Sequence, residues 1–365
     1  MAASTISGLR IAGLCAAVPD RVRHIDEDAR IFGQSQVERI RESTGVVQRP
    51  VTETNLCTSD LCYAAADRLL QQLGWERTTI DGLLFVTQTP DYFLPATSCI
   101  LQNRLALGTN CAAFDINLGC SGYVYGLWLA GHLIAGGLER VLLLVGDTIS
   151  RVVSPRDRAT ALLFGDAGTA TALERTECSP KMSFELGSDG RGWPHLIVPA
   201  GSFRQPRNEN TARRTQREGG NIRSDEDLFM DGAEIFGFTL RVVPRLVANL
   251  LERTGSSLHS MDAIVMHQAN QFIIDHLTKR LKISPEKVPT TLRLYGNTSS
   301  ASIPLTLVVS LGGRLQRESL RLLLIGFGVG WSWGAVELTC GPMLISDVVR
   351  VPDVPTATEQ QGQES

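Results

Sequence analysis

Apolar and polar positions change period repeatedly along this chain, and each change marks an element. Residues 9–19 (LRIAGLCAAVP) are a near-continuous apolar run, which predicts a strand ended by Pro19. A charged stretch over 26–42 has helical spacing and closes at Thr44-Gly45. Residues 58–74 place apolar groups at helical spacing, with Thr58 or Ser59 as cap and Gly74 as stop. Short apolar runs at 82–88, 112–118 and 140–147 predict buried strands. Residues 97–107 and 121–136 predict helices, the second rich in small residues. This alternation predicts a mostly parallel sheet with both faces covered.

The second half repeats the order. Residues 230–255 read as a helix, with Pro244 kinking it or starting a second segment. DAIVMHQ reads as a strand, QFIIDHLTKRLK as a helix, SSASIPLTLVVSLGG as a helix of small residues and RLLLIGF as a buried strand. In the first half the turn GCSG opens a helix that leads to RVLLLVGD. In the second, GNTSSAS opens a helix that leads to RLLLIGF. Each unit ends in a Gly-rich turn and a return strand, which predicts a duplicated α/β unit. The boundaries follow: 1–178 and 230–350 as the two halves, 179–229 as a polar Arg-rich insertion, and 351–365 as a tail unable to pack a core. The insertion reads as a long loop or lid.

A chain of 365 residues, 43% hydrophobic and 20% charged, has the composition of a soluble, well-packed protein. Its formal net charge of −3 predicts no broad field for nucleic acid. No apolar stretch is long enough for a membrane span, and the first residues make a poor signal peptide. The eight cysteines form no CxxC pair, so they read as buried, reduced thiols of a cytoplasmic protein.

Three residues stand at the junctions of the repeat. Cys120 lies between a strand and a helix start, between Gly119 and Gly122. The helix dipole there would lower its pKa and favour the thiolate. Taken alone, a cysteine at such a turn is more often structural. His267 ends the strand DAIVM, where α/β sheets bind ligands, though it also fits a core-edge histidine. Asn297 precedes an apolar helix and also fits a simple helix cap. Together they suit acyl-thioester chemistry. The thiolate takes an acyl group, and two N–H donors hold the oxygen of a second thioester as negative charge develops.

The motifs FDINLGCSG, MHQAN and YGNTSSASIP resemble those of β-ketoacyl–acyl carrier protein synthase III, over about residues 8–340. The resemblance implies a thiolase-like, five-layered αβαβα fold of two duplicated halves, working as a homodimer without a cofactor. Its substrates would be thioesters of coenzyme A or of the phosphopantetheine of an acyl carrier protein. Cys120 would carry the acyl group. His267 and Asn297 would promote decarboxylation of a malonyl thioester, and the backbone N–H of Val329 would join that of Cys120 in an oxyanion hole. Arg158, Asn270 and Phe236 fall at substrate-contacting positions. Leu94 would cap the acyl pocket across the dimer interface, with Phe93 adjacent. Lys279 and Arg280 would meet the carrier protein or the phosphopantetheine phosphate.

The chain also departs from the pattern. Arg39 and Ser43 stand where the family places a Trp and an Arg that sandwich the adenine, and Phe272 replaces an Arg two residues after HQAN. An acyl carrier protein donor would need no adenine clamp. Arginines at 204, 207, 213, 214, 217 and 223 could add positive charge at the entrance. A non-decarboxylating acyltransferase forming an ester or amide is the nearest rival. It would not need both His267 and Asn297.

Overall fold

The computed structural model describes residues 1–53, 55–177 and 180–353. The tail from residue 354 and Cys178 lie outside the described residues. The sheet strands of the first half are β1 (Ala2–Ile6), β2 (Leu9–Pro19), β3 (Val22–His24), β4 (Gln48–Pro50), β5 (Gly82–Val86), β6 (Ala112–Ile116), β7 (Arg140–Asp147) and β8 (Ala167–Arg175). Next come β9 (Met182–Ser188), β10 (Ala263–Met266), β11 (Leu320–Gly328), β12 (Ser332–Cys340), β13 (Leu344–Ile345) and β14 (Val349–Val351). The main helices are α1 (Gln34–Thr44), α2 (Thr58–Leu73), α3 (Thr97–Arg104), α4 (Gly122–Ala135), α5 (Gly232–Thr254), α6 (Gln271–Arg280) and α7 (Ser302–Leu315).

One sheet has the order β13-β2-β8-β7-β5-β6, with β14 also beside β2. The other has the order β1-β9-β12-β11-β10. The alternation of side chains along buried strands explains the layers. On β7, Val141, Leu143 and Val145 face the central core, where α4 and α7 lie between the sheets. Leu142 and Leu144 face outward onto α2 and α3. On β11, Leu320, Leu322 and Leu324 face the centre, while Leu323, Ile325 and Phe327 face outward onto α5 and α6. The result is the αβαβα sandwich. Burying each such side chain stabilises the fold by roughly 1.5–3 kcal/mol.

The duplication is present. β5, β7 and β8 correspond to β10, β11 and β12, with one parallel and one antiparallel pairing in each set. The sheets are mixed rather than mostly parallel, because the return strand after each Gly-rich turn runs back beside its predecessor. The halves exchange their ends. β1 pairs with β9 in the second sheet, and β13 and β14 pair with β2 in the first. Residues 179–229 therefore open with β9, a buried strand of the second sheet.

Several local expectations differ from the structure. β1 was not legible, having no apolar run. The helix over 26–42 is broken at Gly33, which has a positive φ. The cap of α2 is Cys57, whose N–H is accepted by Asp60 Oδ2 at 2.8 Å. Helix α5 continues through Pro244 without a second segment. The described cysteines are free, but Cys99 is exposed and Cys57 and Cys111 are only half-buried. No described helix is long and apolar enough to cross a membrane.

The Arg-rich stretch is tied down by carboxylates within it and by Asp157 beside it. Arg207 pairs with Glu226 (3.0 Å), Arg217 with Asp225 (2.6 Å) and Arg223 with Asp157 (3.2 Å). A small hairpin over 215–223 lies on the 154–158 turn, where Ser154 Oγ donates to the Ile222 carbonyl at 2.7 Å. Much of its positive charge is thus neutralised locally and is not offered to an incoming partner.

Candidate active site

Cys120 sits just before α4, and only 7% of it is exposed. Gly122 starts the helix with little room to spare, since a Cβ there would lie 2.5 Å from Val86. On the other side Gly328 closes over the nucleophile, and a Cβ on it would fall 2.6 Å from that of Cys120. The Val329 backbone lies close to the thiol and acts to lower its pKa.

The expectation of a lowered pKa is not met. Burial pushes the Cys120 thiol up to about 11, against the effect of the Val329 backbone, and the Asp147 charge adds to the rise. Desolvation of the thiolate outweighs what the helix start supplies. The resting nucleophile is therefore a thiol, whose proton leaves as it attacks. Alkylation of Cys120 by iodoacetamide should rise about tenfold per pH unit from pH 7 to 9. A plateau already reached near pH 7 would reveal a stabilised thiolate and contradict this account.

His267 follows β10, is 2% exposed, and packs edge-on against Phe327. Burial pushes its pKa down to about 3, against the effect of the Ser299 backbone, so the ring is neutral. Its Nδ1 lies 2.7 Å from Ser302 Oγ, which itself accepts the Gln268 N–H at 3.3 Å. With Nδ1 held by the Ser302 hydroxyl, a ring whose proton sits on Nε2 can donate from that nitrogen. Ser302→Ala should lower the decarboxylation of a malonyl thioester about tenfold to a hundredfold while leaving Cys120 acylation intact. An equal loss in both steps would mean that Ser302 is merely structural.

Asn297 is not the cap of α7, which begins five residues later. Its Oδ1 accepts the Ser299 N–H at 2.9 Å, and its Nδ2 donates to the Ala269 carbonyl at 3.2 Å. Among the described residues, Ala269 is the one acceptor found for Nδ2, which carries two protons. Ser299 is the common neighbour: it lies close enough to Cys120 and to His267 to influence the pKa of each, and its N–H donates to Asn297 Oδ1. It is held at φ +49°, an unusual backbone conformation for a serine. Sequence reasoning missed Ser299, in the polar run before α7, and Ser302, the first residue of that helix.

Asp147, at the end of β7, was missed as well. Its Oδ1 accepts the Gln88 N–H (2.7 Å), and its Oδ2 accepts the Ser300 hydroxyl (2.6 Å) and N–H (3.2 Å). It thus joins the two halves directly behind the nucleophile. Burial raises its pKa, opposed by these donors.

Residues 114–190 match the family model for 3-oxoacyl-[acyl-carrier-protein (ACP)] synthase III, and residues 251–340 match the model for its C-terminal part. The chain is 36% identical over 339 residues to a β-ketoacyl-[acyl-carrier-protein] synthase III of Geobacillus kaustophilus, covering 92% of this chain and 99% of that protein. It belongs to the synthase III family. A Symbiobacterium thermophilum member is 37% identical, over 91% of this chain and 98% of that one. The crystal structure of a 3-oxoacyl-(acyl-carrier protein) synthase from Burkholderia xenovorans superposes with a TM-score of 0.91 at 45% identity, covering 96% and 99% of the two chains. The resemblance read from the three motifs is borne out, as is the thiolase-like fold.

The outer residues of this synthase III are more dispersed. Arg158 is exposed and lies under the 215–223 hairpin. Its N–H donates to Asn221 Oδ1 at 3.2 Å, and Gly219 lies against its guanidinium. Asn270 caps α6, accepting the Ile273 N–H at 2.8 Å. Half-buried Phe236 packs against Phe272, with ring centres 5.2 Å apart, and edge-on against His276. Lys279 and Arg280 are exposed at the end of α6. Leu94 is 78% exposed, and its neighbour Phe93 packs against Phe203 of the insertion at 5.6 Å.

Proposed function

We propose that this chain performs a decarboxylative Claisen condensation of an acyl group on Cys120 with a malonyl thioester, giving a β-ketoacyl thioester. The convergence of Cys120, neutral His267 and Asn297 on Ser299 carries this reading. In the first step the Cys120 sulfur bonds the acyl carbon, the incoming C–S bond breaks, and the leaving thiolate takes a proton. The thioester carbonyl of the malonyl group then lies between His267 Nε2–H and Asn297 Nδ2–H. As its C–C bond to the carboxylate breaks and CO2 leaves, the electron pair moves onto this oxygen, where two fixed donors stabilise it. The resulting carbon attacks the acyl-cysteine. Val329 and Cys120 N–H groups hold the new oxyanion until the Cys120 sulfur departs.

This sequence balances with a thiol, an imidazole and an amide, and calls for no cofactor. The neutral ring of His267 supports the assignment, because a donor that need not ionise works without an external base. The donor would be an acyl carrier protein or coenzyme A thioester. With Arg39 and Ser43 in place of the adenine sandwich, and Arg158 beneath a hairpin, the carrier protein is favoured. Fatty-acid initiation or a specialised acyl pathway in the cytoplasm would use the product. Exposed Phe93 and Leu94 fit a homodimer in which each capping residue serves the partner's pocket.

The test is to load the enzyme with an acyl group and add malonyl thioester. Release of CO2 together with the β-keto product is expected. Discharge only by an alcohol or amine, with no CO2, would instead make the protein a simple acyltransferase.

A further inference from the structure

Away from Cys120, a cavity of about 250 Å³ opens between the β3–β4 pair and residues 150–164. Arg21, Arg23, Arg49, Thr52, Ser150 and Thr160 are among its lining, and no carboxylate residue is. Arg49 is only 2% exposed. Its Nη2 donates to Asp28 Oδ2 (3.2 Å) and to the Ala161 carbonyl (2.6 Å). Its Nη1 is buried and has no hydrogen-bond partner among the described residues. A buried cationic donor left without an acceptor is costly, so this position favours an anion.

The nearby carboxylates are committed. Asp28 is shared between Arg23 and Arg49, and Glu53 pairs with Arg21. Asp166 accepts from the N–H and hydroxyl of both Thr52 and Ser150. Three arginines line this one space; Arg21 and Arg23 are each ion-paired, and Arg49 Nη1 is the buried donor left for an oxyanion oxygen. At about 250 Å³ the space is large enough for a phosphate group with a small organic substituent beside it.

We propose that this cavity is a binding site for a phosphate group, either the free ion or a phosphomonoester. It lies one layer behind the candidate amide. Arg49 Cβ comes within 3.4 Å of the place where Gly296 would carry a side chain, and Phe164, another lining residue, bridges to Asn297 through the backbone. An anion held by Arg49 would therefore steady the turn that presents Asn297. This inference goes beyond the condensation itself, and its test does not depend on that reaction.

The test is calorimetric titration of the full chain with inorganic phosphate and, separately, with methyl phosphate, at an ionic strength held constant with chloride. One saturable site is expected for the wild type. Arg21→Gln, on the exposed rim, and Arg49→Lys, at the buried position, should each weaken it by about tenfold or more, as loss of a charge-assisted contact implies. Binding of both probes would point to the end of a phosphorylated molecule, and binding of inorganic phosphate alone to the free ion. No heat beyond the chloride control would overturn the proposal. So would unchanged affinity in Arg21→Gln, which keeps the test decisive if Arg49→Lys fails to fold.

Discussion

Cys120→Ala should form no acyl adduct with any acyl thioester that loads the wild type, and its condensation rate should fall by about 10⁴-fold or more. The reason is local. Cys120 presents its sulfur to the Val329 backbone and the Ser299 side chain, inside a wall closed by Gly328. An acyl group attached elsewhere would lack the N–H donors that stabilise its tetrahedral intermediate. Intact mass before and after exposure to the donor reads the result directly. Cys99 is exposed and Cys111 half-buried, so each is open to adventitious acylation. If Cys120→Ala kept both the adduct and turnover, the nucleophile would have to be sought among those residues.

His267→Ala should separate the two halves of the reaction. The acyl adduct should still form, while CO2 release from a malonyl thioester drops about 10²–10³-fold, the usual cost of removing one donor from a developing oxyanion. Asn297→Ala should behave alike, and the double variant should lose less than the product of the two factors, because both donors serve one oxygen. The depressed pKa of His267 sets the pH behaviour. The decarboxylation step should show no loss attributable to this ring between pH 5 and 8, since it stays neutral down to about pH 3. Stability should respond with a definite sign. Between about 3 and the ordinary 6.5 the ring binds a proton only in the unfolded chain, so stability is full above 6.5 and is lost as pH falls toward 3. Denaturant titrations from pH 7 to 4 should show a steeper decline for the wild type than for His267→Gln. A decarboxylation rate that fell with an inflection near pH 6.5 in wild type alone would contradict a neutral donor.

The buried strands of both halves could be read from the sequence because strands covered on two faces are apolar throughout, as RVLLLVGD and RLLLIGF are. The three candidate residues were legible for a different reason: each stands in a motif at a strand end or helix start. What could not be read depends on contacts across the chain. Asp147 matters because Ser300, 153 residues away, brings its hydroxyl and N–H to that carboxylate. Ser302 matters because it touches the His267 ring, which belongs to another element. The Cys120 thiol looks activated when only the helix start is considered. Its pKa is decided by desolvation, which no local pattern reports. β1 escaped notice because Ala-Ala-Ser-Thr-Ile acquires its meaning from its partner β9. Likewise, the arginines of the insertion look free until Asp225, Glu226 and Asp157 are brought beside them.

The exchange of ends between the halves governs how the molecule comes into being. The first sheet lacks β13 and β14 until the strands that follow all its others have been synthesised, and the second takes β1, which precedes every other described strand. Neither half is a self-sufficient unit, although each repeats the other's plan. On a ribosome, β1 must wait through most of the chain's length for the rest of its sheet, and such waiting strands are exposed to mispairing. A protein split between its repeats would leave two pieces with open sheet edges rather than two domains. The strands exchanged between the sheets thus tie the two repeats to each other.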